Sequence, residues 1–277
     1  MSETTHFFEG LDYFEHSKKH QLDILLGVDT EKYGSLEEKP KNRGIYGAVE
    51  NNTGTPLSPV MDDLIRLHYL AISRKVTTIL EFGVGNSTLI FGDALDHNKR
   101  KHGSYVKDNL RRSNPFEVHS IDSEKKWIDV FKKENKVPNN VNLMFAECKM
   151  ATFGDRVCTL YKKLPNICPD LIYLDAPNQF SVLGEINGIT TAHPDKVPMA
   201  ADILLIEHFL LPGTLIVVDG RTANARFLRS NFQRNWDYKY SRAYDQHFFE
   251  LKESPLGELN RRQIEFCLGE DWLVSID

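Results

Sequence analysis

Four carboxylates each close a stretch that reads as a strand and open a turn: Glu81 after residues 76–80, Asp122 after 116–121, Asp175 at the end of 169–175, and Asp219 after 214–218. A carboxylate at a strand end can accept hydrogen bonds from an amine or from a sugar's hydroxyls, or hold a proton or a cation. It stays hydrated there, so burial does not forbid it. Glu81 is followed by Gly83 and Gly85 at alternate positions, then by Asn86, Ser87 and Thr88. Such glycines let the backbone turn sharply and approach a ligand closely, and the polar residues after them suit a helix start. No Gly-Lys-Ser/Thr follows, which excludes a phosphate-cradling P-loop. Asn86 and Thr88 also depart from the dinucleotide fingerprint near its third glycine, and Glu81 would repel a pyrophosphate.

Further groups could take part in proton transfer or binding. His193 lies in an irregular stretch and His247 in an apolar one, and a histidine pKa near 6.5 suits a general base. The plainer readings are a solvated loop residue and a packed strand residue. Arg221 and Arg226 could hold a phosphate, carboxylate or sugar-nucleotide group, with Asn224 beside them, or could form a solvated helix face. His68 interrupts the apolar stripe of Met61, Leu64, Ile65 and Ala71 and reads as a satisfied residue rather than a ligand.

The elements that must position these groups alternate between strand and helix, which predicts an α/β fold. Strands are predicted at 76–80, 116–121, 141–145, 169–175, 214–218, 236–241 and 246–251, and helices from Pro59, over 87–97, 123–135 and 201–210, and from Thr222, with a further helix starting near Thr152. Two stretches look like insertions: a basic one at 98–115 and an irregular one at 176–200 carrying Gly184, Gly188, Pro194 and Pro198. The second leaves the edge that carries Asp175 and is the better candidate for a substrate lid. Residues 1–54 read as an N-terminal arm or cap, from which Tyr46 and Asn52 could reach a ligand although nothing in the sequence demands it; 55–251 as the core; and 252–277 as a tail packed on the core or a partner.

The 277 residues, 41% hydrophobic, suffice for one α/β domain with additions. A formal net charge of -5 argues against a general nucleic-acid binder. The four cysteines, Cys148, Cys158, Cys168 and Cys267, lack paired metal-ligand spacing and read as reduced, buried thiols of a cytoplasmic protein. No signal peptide opens the chain and no apolar run is long enough to span a bilayer.

The stretch Glu81-Phe82-Gly83-Val84-Gly85-Asn86-Ser87-Thr88 resembles the first motif of the S-adenosylmethionine-dependent methyltransferases with a Rossmann-like core, and the order of elements over residues 55–251 extends the resemblance. It implies a three-layer sandwich around a seven-stranded, mostly parallel sheet whose last strand is antiparallel. It implies S-adenosylmethionine as cofactor, with Glu81, Gly83, Gly85, Ser87, Thr88, Asp122, Glu147, Asp175 and Ser58 as its contacts: Asp122 toward the ribose, Glu147 toward the adenine amine or as a surface helix cap, Ser58 toward the methionine end or as a cap. Asp175, Asp219, His193 and His247 are then the catalytic candidates, and Arg221 and Asn224 the substrate-binding ones. Metal-dependent small-molecule O-methyltransferases place carboxylates after the fourth and fifth strands, so Mg2+ or Ca2+ at Asp175 and Asp219 is a further expectation, with Asn224 or Asp245 replacing the ligand that Gly220 lacks. The resulting expectation is methyl transfer to a small molecule at a hydroxyl, by a soluble protein that could form a homodimer. The alternatives are a protein or nucleic-acid methyltransferase, against which Asp175-Ala176-Pro177-Asn178 counts because it lacks the Asn/Asp-Pro-Pro-aromatic pattern; a nicotinamide oxidoreductase; and a domain that keeps the fold without turnover.

Overall fold

Parallel strands covered by helices on both faces are buried throughout and read as unbroken apolar runs. The computed structural model describes residues 5–28 and 59–276. Ser58, Tyr46 and Asn52, and with them their expected contacts, lie outside the described residues. In chain order the described part runs through α1 (Tyr13–His20), α2 (Leu22–Leu26), α3 (Met61–Ser73), β1 (Thr78–Phe82), α4 (Asn86–Asn109), β2 (Glu117–Asp122), α5 (Lys125–Glu134), β3 (Val141–Phe145), β4 (Cys148–Phe153) and β5 (Arg156–Tyr161). It continues through β6 (Leu171–Leu174), α6 (Asp202–Ile206), β7 (Leu215–Asp219), α7 (Thr222–Asn231), β8 (Trp236–Ser241), β9 (Gln246–Leu251), α8 (Glu258–Leu268) and α9 (Glu270–Val274).

Seven strands form one sheet in the order β3-β2-β1-β6-β7-β9-β8. The last strand, β9, runs antiparallel to both its neighbours, and the other six are parallel. Alternate residues of the central strands feed two cores. Ile79, Tyr173, Val217 and Phe248 face α3 and α4. Leu80, Leu174, Val218 and Phe249 face α6, α7 and the β4–β5 hairpin. No described helix is long and apolar enough to cross a membrane.

The structure departs from the expected elements in two places. Residues 98–109 are not a loop insertion: α4 continues through them to Asn109. Asn98 is buried and its amide donates to Ala71 O and Val76 O, while Val106 is buried further on. Lys99, Arg100 and Lys101 lie exposed, which is the solvated-face reading of the basic run. The helix expected near Thr152 is instead the antiparallel hairpin β4–β5. Its two-residue turn is Gly154-Asp155, both at positive φ (52° and 62°), the geometry that hairpin strands favour.

The 176–200 segment contains no named helix or strand. It is tied to the hairpin at both edges, by Met150 N to Leu183 O and Leu183 N to Cys148 O on one side and by Thr159 N to Met199 O on the other. The C-terminal α8 returns to the first core, burying Ile264 and stacking Phe266 on Tyr105 at 4.9 Å.

Asp170, just before β6, holds the opposite end of the sheet. Its carboxylate accepts from Thr77 N, Thr77 Oγ1 and Thr78 N at 2.7–2.9 Å. Asp170→Ala orphans three donors that are buried, so a loss of roughly 3 kcal/mol in unfolding free energy is expected. Chemical denaturation measures it, and a loss below about 1 kcal/mol would mean that the anchoring matters little.

Candidate functional site

The chain moves outward from β1 to β2 and β3, then crosses to β6 on the other side of β1. The strand order therefore reverses between β1 and β6, and open α/β sheets bind ligands in the crevice beyond such a switch point. Register fixes what meets there. Phe82 pairs with Ile121 and with Leu174, and Leu174 pairs with Val218. The next residue of each strand gives a row along one edge: Asp122, Gly83, Asp175 and Asp219. Gly83 N donates to Ile121 O at 2.8 Å and Asp175 N to Phe82 O at 3.0 Å, which pins the two central positions.

Glu81 lies behind that row and is fully buried. Its carboxylate accepts from the hydroxyls of Ser87, Thr88 and Ser120. Thr88 Oγ1 also accepts from Gly85 N at 3.0 Å, closing the turn onto the first residues of α4. Burial pushes the Glu81 carboxyl up to about 7, against the pull of the three hydroxyls. Glu81, Ser87 and Thr88, expected as ligand contacts, are thus bonded to one another and build the turn. Ser120 completes the set and was not anticipated, because it belongs to another strand.

Gly83 sits at φ +111°, and a Cβ there would lie 3.4 Å from Ala176 Cβ. Gly85 is extended at φ −177°, and a Cβ there would meet nothing within 4 Å. Asp122 accepts from Val84 N at 3.1 Å and Glu124 N at 2.8 Å, which orients its carboxylate across the turn. Burial raises its carboxyl to about 6. Trp127 Nε1 donates to Val84 O, fixing α5 to the same turn.

Asp175 is recessed at the edge yet open to water, with 55% of its side chain exposed. The protein packed around it lifts its carboxyl to about 7; Arg221 opposes that and the Asp219 charge adds to it. Arg221 Nε lies 3.4 Å from Asp175 Oδ1, while its terminal nitrogens donate to Asp175 O and Pro177 O. Arg221, expected to bind substrate, therefore clamps the exit of β6. Asp219 accepts from the Tyr173 hydroxyl at 3.0 Å, and burial raises its carboxyl too.

Four expected site residues have partners elsewhere. Asn224 is fully buried, and its amide both accepts from Ala200 N and donates to Ala200 O at 3.1 Å, closing the end of the 176–200 segment. His247 is a packed strand residue rather than a base: Nε2 meets Thr222 Oγ1 at 3.0 Å, Nδ1 meets the Tyr238 hydroxyl at 2.9 Å, and burial lowers its pKa to about 4. His193 is exposed and bonds within its own loop, Nδ1 accepting from Asp195 N and its carbonyl from Gln179 Nε2. Glu147 is half-exposed, 3.6 Å from the ammonium groups of both Lys149 and Lys162.

The expected Mg2+ or Ca2+ site does not fit these donors. The Arg221 guanidinium already stands against Asp175, and a second cation there would be repelled. The buried Asn224 oxygen already accepts from Ala200 N, and one oxygen of Asp219 already accepts from Tyr173.

An organic cofactor fits better. Gly85 leaves open space beside the turn, and the buried Tyr161 hydroxyl, close enough to Asp122 to feel its charge, has no partner among the described residues. The 176–200 segment crosses the same edge, from Asp175 to a hydroxyl pair between Ser181 and Ser123 at 2.7 Å.

The sheet order, the single reversed strand and the glycine turn at the switch point define the class: a Rossmann-like, doubly wound α/β fold. No protein-family model and no curated protein matches the chain. Among solved structures it is similar to the methyltransferase PaMTH1 of Podospora anserina, bound to S-adenosylhomocysteine, at 13% identity and TM-score 0.40 over 90% of this chain and 94% of that one. It is similar to the N-methyltransferase NodS of Bradyrhizobium japonicum WM9, also in complex with S-adenosyl-L-homocysteine, at 17% identity and TM-score 0.34 over 84% and 97%. A Staphylococcus aureus protein described as a caffeoyl-CoA O-methyltransferase gives 13% identity and TM-score 0.36 over 84% and 99%.

Proposed function

We propose that the chain transfers the methyl group of S-adenosylmethionine to a hydroxyl of a small molecule. The observation that carries this reading is the row Asp122, Gly83, Asp175 and Asp219 along one sheet edge at the switch point. Asp122, already oriented by two backbone donors, keeps lone pairs for the hydroxyls of a ribose. Gly83 and Gly85 let the backbone pass close to the cofactor. When bound, S-adenosylmethionine supplies a methyl group on a sulfonium, which is a good leaving group.

The protein's part is then to align the acceptor, exclude water and take a proton. Asp175 is the group for that proton, since a carboxyl at about 7 is ionised often enough to accept it and basic enough to hold it. Asp219 acts beside it through charge, and Arg221 keeps both the main chain and the carboxylate of Asp175 in place. The 176–200 segment borders the acceptor side, where the exposed Phe180, Leu183 and Ile189 suit an acceptor with an apolar part. Glu147 remains a candidate for the adenine amine once its surface ion pairs yield, which costs little.

Calorimetry with S-adenosylmethionine, S-adenosylhomocysteine and NAD tests the reading. The first two are expected to bind at micromolar strength, roughly -8 kcal/mol. Asp122→Ala is expected to weaken them by about 1–3 kcal/mol with the fold intact. Binding of NAD alone would reverse the assignment, and an unchanged Asp122→Ala affinity would place the ribose elsewhere.

A further inference from the structure

Away from the sheet edge, four histidines and a carboxylate meet where α1, α3 and α4 come together. His16 and His20 are one turn apart on α1, so their rings share a face. His68 of α3 is fully buried beneath them. Asp93 and His97 repeat the one-turn spacing on α4. The His16 and His20 ring centres are 4.6 Å apart, His20 and His68 4.8 Å, and His20 and His97 5.0 Å. One nitrogen from each of His16, His20 and His68 lies within 4.8 Å of the others.

The hydrogen bonds orient this cluster. His68 Nε2 lies 3.0 Å from Asp93 Oδ2, so that nitrogen carries the proton and donates it to the carboxylate. The lone pair of His68 is then on Nδ1, which faces His16 Nε2 at 2.8 Å. A carboxylate behind an imidazole in this way is the usual support of a metal-ligating histidine, fixing its tautomer and its ring plane. Burial, with the neighbouring imidazoles, also keeps the His16 and His20 rings neutral.

We propose that His16, His20 and His68 bind a divalent first-row transition metal, Zn2+ first among them, with Asp93 as the outer support of His68 and the fourth position filled by His97 or water. Three imidazoles suit Zn2+, Ni2+ or Cu2+ and do not suit Mg2+ or Ca2+. Tetrahedral Zn2+ with bonds of about 2.0–2.1 Å holds its nitrogens about 3.3 Å apart. The His16–His68 pair must open by about half an ångström and His20 must close by about 1.5 Å, both within reach of ring and side-chain rotation. The ion would take the place of the proton now shared between His16 and His68.

What such a site would do follows from the packing of α1. The helix has eight residues and none is buried, so apolar contact alone holds it weakly to α3. A metal shared with His68 would clasp two segments 52 residues apart in sequence. The role is a structural clasp on the N-terminal helix, separate from the sheet edge and independent of the methyl-transfer reading.

The test uses the full chain without a histidine tag, stripped with a chelator and titrated with Zn2+ by calorimetry and with Co2+ by visible absorption. One metal per chain is expected, with a Kd below micromolar, the d–d bands of low-coordinate Co2+, and a Tm rise of about 5 °C or more at a hundredfold excess over Kd. His20 is half-exposed and makes no side-chain hydrogen bond among the described residues, so His20→Gln should fold as the wild type and lose about 100-fold in Zn2+ affinity. Asp93→Asn should lose about 10–100-fold by releasing the His68 ring. Absence of stoichiometric binding by the folded wild type overturns the proposal, and so does equal Zn2+ affinity in the wild type and a folded His20→Gln variant.

Discussion

Gly83→Val is expected to bring S-adenosylmethionine binding below detection by calorimetry, a weakening of more than about 100-fold, or roughly 3 kcal/mol. Two effects combine at this position. The backbone stands at φ +111°, where a β-branched residue is strained by roughly 1–3 kcal/mol. The residue cannot relax freely, because its N–H donates to Ile121 O and its neighbours end β1. A Cβ also reaches 3.4 Å from Ala176 Cβ, so the two valine methyls extend into the mouth between β1 and β6. Gly83→Ala separates the effects, since its single carbon makes only ordinary contact and leaves backbone strain as the main change. Gly85→Ala is the complementary probe: the backbone is extended there and nothing stands within 4 Å, so the fold should be unaffected. A circular dichroism spectrum unchanged in Gly83→Val, together with full affinity, would remove the turn from the cofactor site.

Central strands were legible because helices cover them on both faces. Residues 76–80, 169–175 and 214–218 carry mostly apolar or β-branched residues, and they form β1, β6 and β7 within two residues at each end. Residues 98–109 were misread because α4 leaves the core after Leu95, and beyond Asn98 only Val106 marks the buried side. The solvated turns of a long helix carry no apolar period, so their lysines looked like a loop. The β4–β5 hairpin was missed although Gly154-Asp155 is a recognisable two-residue turn, because its strands are short and only partly apolar.

The edge carboxylates were found because strand ends are readable, whereas the partners of a side chain are not. Ser120 is 39 residues from Glu81, yet it helps turn an expected ligand contact into the anchor of the glycine turn. Asn224 and Ala200 are 24 residues apart, and the segment between them looked like free loop. The histidine cluster shows the same limit: the one-turn spacing of His16 and His20 is visible in the chain, but their convergence on His68 is set by tertiary packing.

Asp175→Asn is expected to lower the turnover of a hydroxyl acceptor by about 10²–10⁴-fold, the range for losing a positioned base, while cofactor affinity stays within about threefold. An amide of the same shape keeps the packing but cannot take the proton. The pH profile should separate this from mere disturbance. The protein packed around the Asp175 carboxyl lifts it to about 7, so the fraction able to accept a proton falls as pH drops through 7, and kcat/KM should fall with it by one proton. That acid limb should vanish in Asp175→Asn. Its position should also follow the two neighbouring charges in opposite senses. Asp219 raises the Asp175 pKa, so Asp219→Asn should move the limb to lower pH; Arg221 lowers it, so Arg221→Met should move the limb to higher pH. Like-signed shifts, or a limb that persists in Asp175→Asn, would assign the proton to another group. A flat profile between about pH 5 and 8, with turnover unaffected by the amide, would leave Asp175 as a structural partner of Arg221 and make alignment alone the protein's contribution.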